Sequence, residues 1–430
     1  MQVGWGRYMI GPRTHMASVG KQHGRVRGAT RFTTFAVVMA ETPRRVLIIG
    51  AGPGGLTAAI ALRRVGIEAQ VFDRVPAVGK AGAGLGVQSN ALRALMRLGA
   101  GEPLIRAGTE LRAQQIHDMH GRLLLELPQG EVADAFGTPA ISLLRSDVQL
   151  ALVDALEDGV LQLGSECTSV EQAEDGVTAH FADGRSERGA LLIGADGARS
   201  VVRQHVYGDR NRPPRYSGVT IWRSVVQLEG VLPETIARAY LGPGQTFVMF
   251  PVGRQRIYWG VGKRQPEGGK DPPDGVHRLL REYLRDFPEV SRTVVQATPE
   301  AEIIRTDIYD RDPDRTWVSG RIALMGDAAH LTTPFVGQGA GISMEDGVVL
   351  AKELALSNGL RDQRMLAQAL KSYESARVPR CASIVLSSRR RGQILFWSNP
   401  ALRSVRNALL RSLPARVRRG VIAQSLNYQV

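Results

Sequence analysis

The chain has only two cysteines, Cys167 and Cys381. Two thiols cannot build a disulfide framework or a metal quartet, and they suit a reduced, cytoplasmic setting. No apolar run reaches the ~18–20 residues that a membrane span needs. No internal repeat is present, and neither Ser200 nor Ser343 sits in a G-x-S-x-G elbow, so nucleophilic serine catalysis has no support. The histidines and cysteines show no metal-ligand spacing. Acid is missing where the charge is greatest: residues 389–430 carry nine arginines and no Asp or Glu, and residues 1–43 carry six basic residues and one Glu. These two ends account for the whole formal charge of +14, so residues 44–388 are neutral. The body is therefore not expected to bind nucleic acid, and electrostatic attraction belongs to the tails. Weak contact of the basic C-terminal segment with an anionic membrane is the partner this leaves open.

At 430 residues the chain exceeds the usual reach of one core, so two domains are expected. Residues 1–43 show no sustained period and read as a disordered extension, or as a start placed upstream of the native one. Order begins with the apolar run 44–49, a buried strand, followed by a helix from about Gly54 to Arg64 and a second strand at 67–74. That is a βαβ unit of about minimal size. Residues 189–194 and 321–325 read as further buried strands, each ending at Gly-Ala-Asp or Gly-Asp. Between them, the alternating runs of 216–262 predict antiparallel strands. The tail from about 370 is helical: Leu402, Val405, Leu409 and Leu413 step by three and four, predicting a buried stripe with arginine on the other face.

Gly50, Gly52 and Gly55 satisfy G-x-G-x-x-G after a strand and before a helix, the context that gives the string its meaning. The first glycine permits the tight turn, the second lets a pyrophosphate approach, and the third lets the helix close on the sheet. Gly54 lies within the same turn. Asp73, with Arg74 beside it, closes the second strand, where an acid meets an adenosine ribose. This unit would hold NAD or FAD. Two further stretches narrow the choice: 191–203, containing Asp196, and 320–354, containing Asp327, Pro334, Gly337, Gln338, Gly339 and Ala340.

With all three fingerprints in order over most of residues 44–390, the sequence resembles the group A flavoprotein monooxygenases. This is the para-hydroxybenzoate hydroxylase-like family, which includes salicylate hydroxylase and tetracycline-modifying types. Lesser signatures at 82–95, 143–156 and 373–380 agree. The resemblance implies an α/β fold: a Rossmann-like FAD-binding domain (44–205 and 317–388), an inserted substrate domain on an antiparallel sheet (206–316), and a basic amphipathic C-terminal helical segment (389–430). It implies that Asp327 accepts hydrogen bonds from ribityl hydroxyls and that Pro334 turns a carbonyl toward the ring. The helix starting at Gly337, Gln338, Gly339 and Ala340 then points N–H groups at the flavin edge where reduced flavin is negative. Arg145 matches the arginine that reaches the flavin phosphates. Asp196 serves a turn near FAD and the passing nicotinamide. His330 is read as a packing residue, and Arg377 and Arg380 as salt-bridge formers.

The single glycine fingerprint implies that NADH or NADPH docks transiently rather than in its own domain. The activity implied is oxygen insertion into an aromatic or phenolic small molecule through a C4a-hydroperoxyflavin, with O₂ as co-substrate. No catalytic base is evident; Arg223 and Tyr216 are the candidates. The pocket is expected from Tyr216, Trp222, Arg223, Phe247, Phe250 and Trp259. A halogenase would need W-x-W-x-I-P, which is absent. A flavin epoxidase or reductase acting on a polyketide, quinone or isoprenoid shares all three motifs, and a silent FAD-binding protein is the rival of another class. Either a monomer or a homodimer fits.

Overall fold

The structure, a computed structural model, describes residues 45–79, 83–273, 275–360, 362–426 and 428. The extension expected at 1–43 lies outside the described residues. The first sheet is built on Val46–Ile49, a run of wholly apolar, buried residues paired in parallel on both sides, with Ala69–Phe72 and with Leu191–Gly194. Such a strand has no solvent face, which is why it does not alternate. Ile322–Leu324 extends the sheet in parallel beyond Leu191–Gly194, and Leu161–Gln162 extends it beyond Ala69–Phe72. The strands expected at 44–49, 67–74, 189–194 and 321–325 thus lie in one layer.

Helix Pro53–Arg64 covers this layer. Proline at its first position costs nothing, because that N–H would have no intrahelical acceptor. Pro53 through Leu62 are buried, largely against the helix Gly339–Leu356. Two glycines set how closely these helices approach. A β-carbon at Gly54 would stand 2.9 Å from Ser343 Cβ, and one at Gly347 would stand 2.7 Å from the Ala58 nitrogen. Contacts advance by four residues on each helix, 54 to 58 and 343 to 347, so the helices run parallel and their N-termini lie at the same end.

The second sheet has seven strands, in the order Ile304–Asp310, Arg215–Gln227, Arg256–Arg264, Gln245–Pro251, Ile236–Gly242, Ala113–Asp118, Leu123–Leu127. The antiparallel strands expected at 216–262 are its middle. Its edge comes from much earlier in the chain: Ala113–Asp118 pairs in parallel with Ile236–Gly242, so the sheet crosses the boundary expected at 205/206.

Side chains alternate across a strand, and the alternation divides the residues expected to form a pocket. Trp222, Phe247 and Trp259 point to one face and are buried in a core with Leu280, Val294 and Val295 of the covering helices. They are not pocket walls. Their neighbours Arg223, Phe250 and Tyr258 point to the opposite face, which is hollow.

The C-terminal helices also depart from expectation. Helix Gln363–Leu395 is continuous through Pro379, so the boundary expected at 388/389 falls inside it. In helix Pro400–Ser412 the stripe is inverted: Leu402, Val405 and Leu409 are 45%, 54% and 61% exposed, whereas Arg406 is 3% exposed. The last carbonyls of a helix lack intrahelical donors. Arg406 satisfies them, donating from Nη1 to Leu395 O at 2.9 Å and to Ile394 O at 3.3 Å. That need outweighs burial of the leucines, and only Leu410 and Leu413 on this helix edge reach an apolar cluster.

The helix contact yields a direct expectation. Gly347→Ala places a methyl against backbone that cannot yield cheaply, and should cost about 1–3 kcal/mol in urea-unfolding free energy, with loss of any cofactor held between the helix ends.

Candidate functional site

The paired helix N-termini open into one cavity of about 480 Å³. Gly52, Gly54 and Gly55 line it from the first turn, Arg145 from the start of helix Arg145–Val153, and Asp327, Pro334, Gly337, Gly339 and Ala340 from the last motif. Residues nearly three hundred positions apart thus share one wall.

The glycines of the first turn have distinct physical reasons. Gly50 has φ +111°, and a β-carbon there would sit 2.3 Å from Ala195 O, so the neighbouring strand end requires glycine. Gly52 is the opposite case. Its backbone, φ −71° and ψ 172°, suits any residue, and a β-carbon would meet nothing within 4 Å. The protein's own packing does not explain glycine here, whereas a phosphate approaching the main chain does. The cradle therefore fits a dinucleotide.

Five residues expected to bind cofactor do not line the cavity. Gly50 lies behind the turn. Asp73 accepts from the Ala51 N–H at 2.6 Å and the Val75 N–H at 3.0 Å, which fixes the turn from beneath. Arg74 is exposed to solvent. Asp196 accepts from Val201 N–H at 2.7 Å and from the Ser200 hydroxyl, so it holds the start of helix Val201–Tyr207. Gln338 is buried, and its Oε1 accepts from Asn90 at 3.2 Å. All five shape or neighbour the wall without forming it.

Asp327 lines the cavity and is exposed there. Its enclosure by protein raises the carboxyl pKa above the usual range, and His330, Arg145 and Arg311 pull it back. Its turn is pinned by a buried ion network. Asp346 accepts from the Gly326 N–H at 3.0 Å, from His330 Nε2 at 2.6 Å and from Arg377 Nε at 2.7 Å. Glu345 accepts from Asn90 at 2.5 Å and Arg380 at 3.0 Å and is ion-paired with Arg377 at 2.8 Å. His330, Arg377 and Arg380 are thus structural, as read from the sequence. Among the described residues His330, Asp346 and Cys381 also come within metal-binding distance of one another, but Arg377 already occupies that carboxylate.

The other half of the cavity lies over the second sheet. Gly260 leaves its floor without a side chain, Gly262 makes room for the Phe396 ring, and Ala237 and Ala239 keep the strand two places across low. Ile221, Val248 and Phe250 make the walls apolar, and Phe250 stacks on Tyr258 at 4.5 Å. Arg223 lies here too: its Nη2 reaches Thr306 Oγ1 at 3.4 Å, and its Nε has no partner. Burial raises the Tyr258 pKa, and Arg223 opposes the rise. Tyr216, the other catalytic candidate, is not at the cavity. It sits at a strand irregularity and donates its hydroxyl to Gln265 O at 2.9 Å. Sequence reasoning missed Tyr258, Gly260, Gly262 and Arg391. The first three carry a usable signal, since Y-x-G-x-G on one alternating strand spells a ring beside an empty floor.

Gly52→Ala is allowed by the backbone and by packing. It should leave the unfolding free energy within about 0.5 kcal/mol of the parent, yet weaken FAD binding about tenfold or more, read by flavin fluorescence titration.

The family model described as FAD binding domain matches residues 44–388. The chain is 38% identical over 387 residues to an aurachin C monooxygenase/isomerase of Stigmatella aurantiaca, covering 89% of this chain and 98% of that one. It is 32% identical to an FAD-dependent urate hydroxylase of Mycolicibacterium vanbaalenii, covering 84% and 91%. Among solved structures, Klebsiella pneumoniae HpxO complexed with FAD and uric acid superposes with a TM-score of 0.82 at 29% identity, covering 89% of this chain and 96% of that one. The chain therefore belongs to the FAD binding domain family, among the FAD-dependent aromatic monooxygenases.

Proposed function

We propose that the protein uses FAD, NADH or NADPH, and O₂ to hydroxylate a small aromatic or phenolic molecule lying on the floor at Gly260. The observation that carries this reading is the continuity of one cavity from the Gly52 turn, past Asp327 and Gly339, to that floor. When bound, the flavin supplies hydride acceptance and oxygen activation; the protein's residues hold and shield. Gly54 and Gly55 offer N–H groups, and Arg145 a cation, to the pyrophosphate. Asp327 offers a carboxylate to ribityl hydroxyls. Gly339 and Ala340 aim a positive helix end at the ring edge. Ile221, Val248 and Phe250 exclude water from the substrate side. Among the described lining residues there the ionisable groups are Arg223, Arg238, Tyr258 and Arg391, and none is a carboxylate or histidine; Arg238 already donates to Gln115 Oε1 at 3.2 Å. Activation of a phenol then comes from Arg223, whose charge beside the Tyr258 hydroxyl favours an oxyanion at a phenolic oxygen. The FAD-binding domain is read as 44–205 with 317–388, less the edge strands at 113–127, which go with 206–316 in the substrate domain.

The setting belongs to the same reading: a reducing cytoplasm, with both cysteines free and buried, and a monomer or homodimer. Among the described residues no helix is long and apolar enough to cross a membrane. Exposed Leu402, Val405 and Leu409 in an arginine-rich, acid-free segment support weak contact with an anionic lipid surface.

The purified protein should be yellow, with about one FAD per chain, and should oxidise NADH or NADPH in air faster with a phenolic substrate than without. Colourless protein that rejects added FAD would defeat the reading, and flavin with no phenol-stimulated oxidation across a panel would leave only a silent flavoprotein. Separately, sedimentation with phosphatidylserine-containing vesicles should fall in Leu402→Ser/Leu409→Ser, at unchanged charge; equal sedimentation would remove the lipid contact from the reading.

A further inference from the structure

The long helix Gln363–Leu395 lays one face along the site. Ser388 donates to Thr333 O at 2.7 Å, just before Pro334. One turn on, Gly392 seats Phe335, since a β-carbon there would stand 2.4 Å from that ring. Another turn on, Phe396 fills the space above Gly262, where an added β-carbon would be 2.8 Å from its ring. Positions 388, 392 and 396 therefore bind the helix to the flavin-side turn at one end and to the sheet floor at the other. Positions 391 and 395 flank this stripe, and both line the cavity.

The three consecutive arginines of this turn differ in their surroundings. Arg389 is held by Asp310 at 2.8 Å and Asp312 at 2.7 Å. Arg390 faces solvent. Arg391 lines the cavity, half-buried, and makes no hydrogen bond or ion pair with any described residue. Burial lowers its pKa, and no carboxylate opposes that. The cavity's one acid, Asp327, feels Arg145, Arg311 and His330, not Arg391. An enclosed cation without a partner is a standing cost to the fold. A residue that costs the free protein and faces a binding cavity is explained by a partner that arrives with the ligand.

We propose that Arg391 is a specificity-determining residue, binding an acceptor oxygen (carboxylate, oxyanion or ring carbonyl) on the aromatic substrate. The proposal rests on the functional reading above and adds the substrate class: a planar ring bearing an acceptor group opposite the apolar wall of Ile221 and Val248. A guanidinium suits this task because its fork of donors meets a planar acceptor with two parallel hydrogen bonds.

The test uses FAD-loaded full-length protein and two probe pairs: 3-hydroxybenzoate against 3-hydroxybenzyl alcohol, and 4-quinolone against quinoline. Binding is read from perturbation of flavin absorbance. In at least one pair the parent should prefer the acceptor-bearing member about tenfold or more. Arg391→Leu should abolish that preference and melt at or above the parent temperature, because an unpaired, half-buried charge is gone. Arg391→Lys should keep part of the preference. A parent that binds flavin but shows no preference in either pair overturns the assignment. So does Arg391→Leu with preference intact, or with a melting temperature several degrees lower, which would mark a purely structural arginine. A parent that binds no flavin overturns the functional reading first, and this inference with it.

Discussion

The close parallel contact between helices Pro53–Arg64 and Gly339–Leu356 is the constraint on which the site depends. Parallel packing puts two positive helix ends side by side, which is unfavourable in an enclosed space unless something negative lies between them. The fold accepts this arrangement by thinning the interface to glycine at 54 and 347. The result is a cavity whose wall attracts anions at two places, one suited to a pyrophosphate and the other to a ring that gains negative charge on reduction. The first sheet fixes where the first helix begins, since Pro53 follows closely on strand Val46–Ile49, whereas the second helix is reached from Ile322–Leu324 through the turns at 326–338.

The second helix needs help to hold its start in place, and the buried network supplies it. Glu345 and Asp346 lie about two turns into the helix, away from its N-terminus, and collect Arg377, Arg380, Asn90, His330 and the Gly326 N–H. Burial would strip charge from these groups, but their mutual pairing prevails: it lowers the Asp346 pKa and, with Cys381 also close by, raises that of His330 well above the usual value. The Asp346 contribution is present above its unfolded pKa and is lost as pH falls through the lowered folded one. The His330 contribution is complete below its unfolded pKa and is lost only as pH rises through the raised folded one. The pair therefore spans neutrality, and the Gly326 turn that carries Asp327 is held rigid across that range.

The sequence revealed the flavin half of the site more clearly than the substrate half. The glycine turn, its flanking strands and the 326–340 segment are local signals, each confined to a few residues whose spacing has a mechanical reason. Asp73, Asp196 and Gln338 were legible as belonging to these turns, but not whether their side chains faced the cavity or the backbone beneath it. On the second sheet, alternation told which residues share a face, yet not which face would be hollow. Trp222 and Trp259 looked like walls because large rings suggest a pocket, whereas the covering helices took them into a core and left glycine on the cavity side. The strand Ala113–Asp118 pairs with residues more than a hundred positions away, and no local pattern announces that. In the tail, a leucine stripe pointed inward by periodicity, but the open carbonyls at the end of the preceding helix took Arg406 instead. Arg391 was hidden for a similar reason, since one arginine in a run of three looks like its neighbours until the helix is placed.

The most direct measurement is a crystal structure of the protein with FAD. The account requires the pyrophosphate against the N–H groups that begin helix Pro53–Arg64 and the flavin ring edge against those that begin Gly339–Leu356, in one molecule. Flavin bound at only one of these helix ends, or elsewhere on the protein, would contradict it.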